Sequence, residues 1–178
     1  KPVMEGKGLL FKAFADIDVF DIEIDTEDVD EFVNTVKRIA PTFGGINLED
    51  IKAPECFYIE QALSEQCDIP IFHDDQHGTA IAVLAAVINS LNVTGRRIED
   101  TKFVFSGAGA GGIASTKLLL DYGAQNIILV DSTGIIQRDR TNLTPVKTRR
   151  LDTTNPDNLS GNLADALDGA DVFIGLSV

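Results

Sequence analysis

Two acidic pairs, Glu49-Asp50 and Asp74-Asp75, stand where side chains can do chemistry, because each directly follows a short apolar run. Adjacent acids also occur at Glu27-Asp28, Asp30-Glu31 and Glu99-Asp100, and a chain with 28 Asp and Glu produces such pairs without purpose. Position separates the first two. Parallel neighbouring strands bring both to the carboxyl edge of one sheet, where open α/β folds bind ligands. Carboxylates converging there repel one another unless a cation sits between them, and ligation by oxygen alone suits Mg²⁺ or Mn²⁺. Spacing alone leaves a metal site and a solvated acidic rim equally open.

A second constellation is Gly107-Ala108-Gly109-Ala110-Gly111-Gly112, which contains G-x-G-x-x-G as Gly107, Gly109 and Gly112. It follows a predicted strand and opens a predicted helix, the context that separates a dinucleotide loop from a glycine-rich structural turn. The first glycine permits the tight turn, the second lets backbone approach a pyrophosphate, and the third lets helix and strand pack closely. Asp131 ends the next strand about 20 residues on, where a carboxylate accepts from both ribose hydroxyls. The same carboxylate repels a 2′-phosphate, and Ser132-Thr133-Gly134 supplies no cation to offset it. NAD is therefore expected ahead of NADP.

The elements that must hold these residues alternate. Strands are predicted over 17–24, 43–48, 69–72, 102–105, 126–130 and 170–174 from their apolar, β-branched composition. Between them Asp25-Thr26 caps a helix carrying Val29, Phe32, Val33, Val36 and Ile39 that ends at Pro41, and Pro54 opens another. The run 80–88, apolar almost all round, predicts a helix buried between layers and closed at Gly95; further helices are predicted over 113–122 and 163–167. Such alternation calls for parallel pairing with right-handed crossovers, an α/β fold. Residues 132–160 turn polar and read only as a surface excursion.

With 178 residues, 44% hydrophobic and 24% charged, the chain has the composition of a globular protein. Its net charge of −13 disfavours nucleic acid and anionic lipid. No apolar run is read as approaching the roughly 18 residues of a membrane span, and Lys1-Pro2-Val3-Met4 lacks a signal-peptide layout, so the expected location is cytoplasmic. Cys56 and Cys67, on one predicted helix and outside any C-x-x-C, are expected as two buried thiols rather than a disulfide or metal site. Met4 is the only methionine and the chain stops on Val178 just after an apolar run, so both ends look cut.

The segments Lys1 to Asp18, Phe43 to Ile51, Phe72-His73-Asp74-Asp75-Gln76-His77-Gly78-Thr79-Ala80 and the glycine loop resemble the bacterial branch of the malic enzymes. The resemblance covers nearly all of the chain except the polar stretch after Ser132. It implies a partial substrate- and metal-binding domain over 1–73, followed by a Rossmann-type NAD(P)-binding domain over 74–178 that is incomplete at its carboxyl end. It implies Glu49, Asp50 and Asp75 as metal ligands, Lys7 as catalytic base and Asp74 as its supporting acid. Malate and pyruvate, a homo-oligomer, and a proton-donating tyrosine upstream with substrate-binding asparagines downstream follow from the same resemblance. For Lys7 to act as a base its pKa must fall, the direction in which a nearby cation and partial burial act. The family pattern gives His73 and His77 no ligand role, so they are expected as oriented or surface residues, and Tyr58 and Tyr122 as packing groups. A malolactic enzyme and a noncatalytic NAD- and metal-binding module are the alternatives.

Overall fold

The computed structural model describes residues 2–177; Lys1 and Val178, which open the first resembling segment and close the chain, lie outside them. The first helix, α1 (Pro2–Ala15), carries Lys7 and buries none of its residues. The predicted strand over 17–24 is irregular backbone, with Ile17, Val19, Phe20 and Ile22 exposed. Its alternating pattern has no ladder to join, because the nearest sheet consists of two other strands. A strand without a partner leaves its backbone groups to water.

Helix α2 (Val29–Ile39) is capped by Asp28, whose carboxylate accepts from the Glu31 N–H at 2.7 Å, three positions beyond the start of the expected cap pair. Such a cap contributes about 1 kcal/mol. A 3₁₀ turn at Ala40–Thr42 containing Pro41 ends it. Strand β1 (Ile46–Leu48), helix α3 (Glu55–Gln66) and strand β2 (Ile71–His73) follow, and β1 pairs parallel with β2, Leu48 opposite His73. Val33, Val36, Leu48, Ile59 and Leu63 form the core of this unit. The acids after Leu48 and His73 therefore leave the sheet side by side.

Helix α4 (Asp74–Thr94) begins directly at the second acidic pair. The expectation of a helix buried between layers is corrected: Ala80, Val87 and Leu91 are buried, while Ile81 and Val93 are 58% and 88% exposed. With 21 residues, α4 is also long and apolar enough by length and composition to cross a membrane, contrary to the sequence reading. Its interspersed Asn and Ser residues hide that length. Its buried stripe packs mainly on α5 (Ala110–Tyr122), as a scaffold helix does.

The second sheet has the order β5-β4-β3-β6. Strands β3 (Lys102–Ser106), β4 (Asn126–Asp131) and β6 (Val172–Gly175) are parallel, whereas β5 (Gly134–Ile135) returns antiparallel beside β4. Phe103, Phe105, Leu119, Ile127 and Leu129 are fully buried here, each side chain contributing about 1.5–3 kcal/mol. The stretch 132–160 is more than a surface excursion. It forms β5 and the short helix α6 (Pro145–Thr148), and its Leu143, Val146 and Leu151 pack on the core. Buried Asn155 organises it, donating through Nδ2 to the carbonyls of Ile136 at 3.1 Å and Leu159 at 2.9 Å. Helix α7 (Leu163–Leu167) leads into β6. The architecture is α/β with parallel sheets.

Candidate active site

At the carboxyl ends of β1 and β2, oxygens of Glu49, Asp50 and Asp75 lie within 4.8 Å of one another. Asp50 adopts the left-handed region (φ 55°), which Asp tolerates better than most residues, and its N–H donates to Asp75 Oδ2 at 3.2 Å. Burial raises the Glu49 pKa, assisted by Asp74 and Asp75 and opposed by the Asn47 amide and Lys7. Three converging carboxylates, one of them largely buried, form an oxygen donor set that fits Mg²⁺ or Mn²⁺.

Lys7 reaches this cluster from α1. Its Nζ hydrogen-bonds Asp74 Oδ2 and stands 3.5 Å from Glu49 Oε2. The Lys7 pKa is raised, first by the Asp74 hydrogen bond and then against the lowering effect of burial, with Glu49 adding to the rise. This direction is opposite to the one a base needs. Asp74 folds back over Gly78, so closely that a Cβ there would collide with its carboxylate. Gly78 thus leaves Asp74 room to face Lys7, a requirement invisible to sequence patterning.

The glycine loop lies between β3 and α5. Gly107 has φ 117°, and a Cβ on it would lie 2.8 Å from the Leu176 carbonyl carbon. Gly112 packs on the Gly107 carbonyl, while Gly109 faces open space. No side chain caps α5 at Gly109, so its first-turn N–H groups are left to attract negative charge. The adjoining cleft, about 700 Å³, is lined by Ser106 to Gly109, Asp131 to Gly134, Lys147 and, from the other sheet's side, Ala53, Pro54 and Phe57. A pyrophosphate-bearing ligand suits it.

Asp131 stands at the cleft's edge as expected, but not alone. Arg140 donates to its Oδ1 at 2.9 Å and Oδ2 at 3.2 Å, and Lys147 to Oδ2 at 2.6 Å. Burial pushes the Asp131 pKa up, yet these bonds and those from Thr133 outweigh it and hold the carboxyl well below its usual range. The expectation that no cation stands near is corrected: Arg140 and Lys147 arrive from 9 and 16 positions away, beyond Ser132-Thr133-Gly134.

The acid cluster does not line the cleft. The two meet where Gly111 packs on α4, with a Cβ position 2.9 Å from Thr79 Cγ2 and 3.2 Å from the Asp75 carbonyl. Of the histidines, His77 faces Glu60 and the Phe72 ring, whereas His73 is fully buried, and among the described residues neither of its ring nitrogens has a hydrogen-bond partner. Cys56 is a buried free thiol; Cys67, at the end of α3, is only half-buried and also free. Tyr58 and Tyr122 lie on helices α3 and α5, half exposed.

Fold and site together define a dinucleotide-binding α/β protein with an acidic cluster abutting the nucleotide unit. Family models carry the reading further: malic enzyme, N-terminal domain, matches residues 26–64, and malic enzyme, NAD binding domain, matches residues 76–177. The chain belongs to the malic enzyme family. It is 56% identical to the NAD-dependent malic enzyme of Geobacillus stearothermophilus, across 99% of this chain and 37% of that protein. It is 54% identical to an NADP-dependent malic enzyme of Rhizobium meliloti, across 99% of this chain and 23% of that one. The crystal structure of the NAD-dependent malic enzyme of Thermotoga maritima matches with a TM-score of 0.96 and 50% identity, over 99% of this chain and 48% of that one. The chain thus spans less than half the length of these relatives.

Proposed function

We propose that this chain is part of an enzyme that oxidises and decarboxylates (S)-malate to pyruvate and CO₂, using NAD(P) and a divalent metal. The observation that carries the reading is the meeting of Lys7 and Asp74 with Glu49, Asp50 and Asp75 beside a dinucleotide cleft. In this reading residues 1–73 serve substrate and metal, and 74–178 the dinucleotide.

Glu49, Asp50 and Asp75 hold the cation. A bound Mg²⁺ or Mn²⁺ would supply Lewis-acid polarisation of a substrate oxygen and neutralisation of developing negative charge there. The nicotinamide supplies the hydride acceptor. Lys7 accepts the 2-hydroxyl proton, and Asp74 orients its Nζ. Because Asp74 and Glu49 raise the Lys7 pKa, Lys7 must first lose a proton; neutralising the acidic cluster with a cation acts in that direction. Gly107, Gly109 and Gly112 admit the pyrophosphate, and Asp131 faces the ribose. Arg140 and Lys147 together outweigh the Asp131 charge, so a 2′-phosphate is not repelled as the isolated carboxylate would repel it. NAD is the primary cofactor in this reading and NADP is also accepted. A homo-oligomer, as the resemblance implies, and a cytoplasmic location are part of the proposal, and the segment by itself is inactive.

The test is product analysis on the full-length chain with malate, NAD and Mn²⁺. Pyruvate with matching NADH supports the reading. Lactate without net NADH makes it a malolactic enzyme, and NADH binding without turnover makes it a noncatalytic module.

A further inference from the structure

Helix α4 carries both Asp74 and Asp75 in its first turn, yet its N-cap, His73, makes no side-chain capping bond. A helix start without a cap leaves N–H groups unpaired and frays readily. Here Asp75 converges with Glu49 and Asp50, and Asp74 also acts on Glu49, so like charges press on it. Lys7 holds Asp74 from α1, but the residues that follow Asp75 need a partner of their own.

Glu60, on α3, is that partner. The Gln76 side chain donates through Nε2 to Glu60 Oε2 at 3.1 Å, and His77 Nε2 meets Glu60 Oε1 at 2.5 Å. Gln76 is 4% exposed and the Glu60 side chain 16%, so the Gln76 bond is shielded from competing water, whereas the His77 side chain, 44% exposed, meets Glu60 from the solvent side. Both oxygens of one carboxylate thus grip the two residues that directly follow Asp75. His77 is fixed from a second side by the Phe72 ring, at a centroid distance of 5.6 Å. The grip sets the rotation of the turn, and with it the direction in which Asp75 points toward Glu49 and Asp50.

We propose that Glu60 is a positioning residue, which fixes the first turn of α4 through Gln76 and His77 and so aims Asp75 into the carboxylate cluster. The inference rests on the metal-binding role given to that cluster above. Glu60 itself touches neither the cluster's oxygens nor the cleft. It acts one step further out than a group that hydrogen-bonds a metal ligand directly, whose loss typically costs about 10–100-fold in metal affinity, so the lower end of that range is its upper bound.

The test uses the full-length enzyme, with Mn²⁺ titration by calorimetry, NADH affinity by fluorescence, and amide hydrogen exchange over residues 74–80. Glu60→Ala should weaken Mn²⁺ several-fold, up to about tenfold, speed exchange in that segment, and leave NADH affinity within about twofold, as an effect confined to one turn requires. Glu60→Gln keeps an acceptor for Gln76 and offers a donor to His77, so it should recover most of both signals. Wild-type Mn²⁺ affinity and exchange in Glu60→Ala would overturn the proposal. So would faster exchange throughout α3 and the core strands together with lost NADH binding, which marks general destabilisation, or a Gln variant as impaired as the Ala one. If wild-type enzyme binds Mn²⁺ no better than Asp50→Asn, the metal reading fails, and exchange over 74–80 still decides whether Glu60 holds the turn.

Discussion

Lys7 on α1 and Asp74 at the start of α4 hydrogen-bond across 67 positions of sequence. The contact ties a helix with no buried residues to the turn that carries the acids. With a pKa raised above 10.5, Lys7 contributes this tie fully below that value and loses it as pH rises through the higher folded value. At neutral pH the pair is an ion pair. Part of its strength is lost to solvent, since both side chains are about a third exposed.

Replacing Lys7 by Ala in the full-length enzyme removes the proposed proton acceptor and spares the glycine loop. Turnover of malate should fall on the order of 10²-fold or more, with NADH affinity unchanged. Steady-state kinetics across pH check this, and a wild-type rate throughout would place the base elsewhere.

Asp50→Asn preserves size and removes one charge from the proposed donor set. Calorimetric titration with Mn²⁺ should show weaker binding than wild type. Equal affinity would mean that the three oxygens within 4.8 Å are a solvated rim.

Lys147→Gln tests cofactor choice. Asp131→Ala is less clean, because it strands two cations that are each at least 79% buried, and an unpaired buried charge can cost several kcal/mol. Removing Lys147 leaves Arg140 on Asp131 and returns the site toward neutrality. The kcat/KM for NADP should drop more than that for NAD; equal losses would show that Lys147 does not meet the 2′-phosphate.

The two cysteines should differ in reactivity. Burial pushes the Cys56 thiol up to about 11, so at about pH 8 it remains protonated as well as inaccessible. Alkylation of native protein followed by peptide mass spectrometry should find half-buried Cys67 labelled first. Early labelling of Cys56 would contradict its burial.

The strands β1, β2 and β4 and the acids at their ends are legible because an apolar run followed by a charge is a local signal. So is the glycine loop, whose context of strand and helix lies within one window. Residues 17–24 mislead for the converse reason: their alternation is local, but whether a strand forms depends on a neighbour, and the sheet offers none. Arg140, Lys147 and Glu60 escape a sequence reading because each acts on a partner 9 to 17 positions away. Charges are too common in this chain for such separations to be informative. The stretch 132–160 hides its packing because Leu143, Val146 and Leu151 are spread singly among polar residues.

Gly78 lies inside α4, where glycine is about 1 kcal/mol less favourable than alanine. An engineer raising thermal tolerance by helix propensity alone would count it among the helical glycines to change. Because the Asp74 carboxylate occupies the space of the missing Cβ, the gained rigidity would come with the acid pushed away from Lys7. A more heat-resistant variant at this position should therefore be a slower enzyme, and a screen that selects on melting temperature alone would enrich for the wrong sequence.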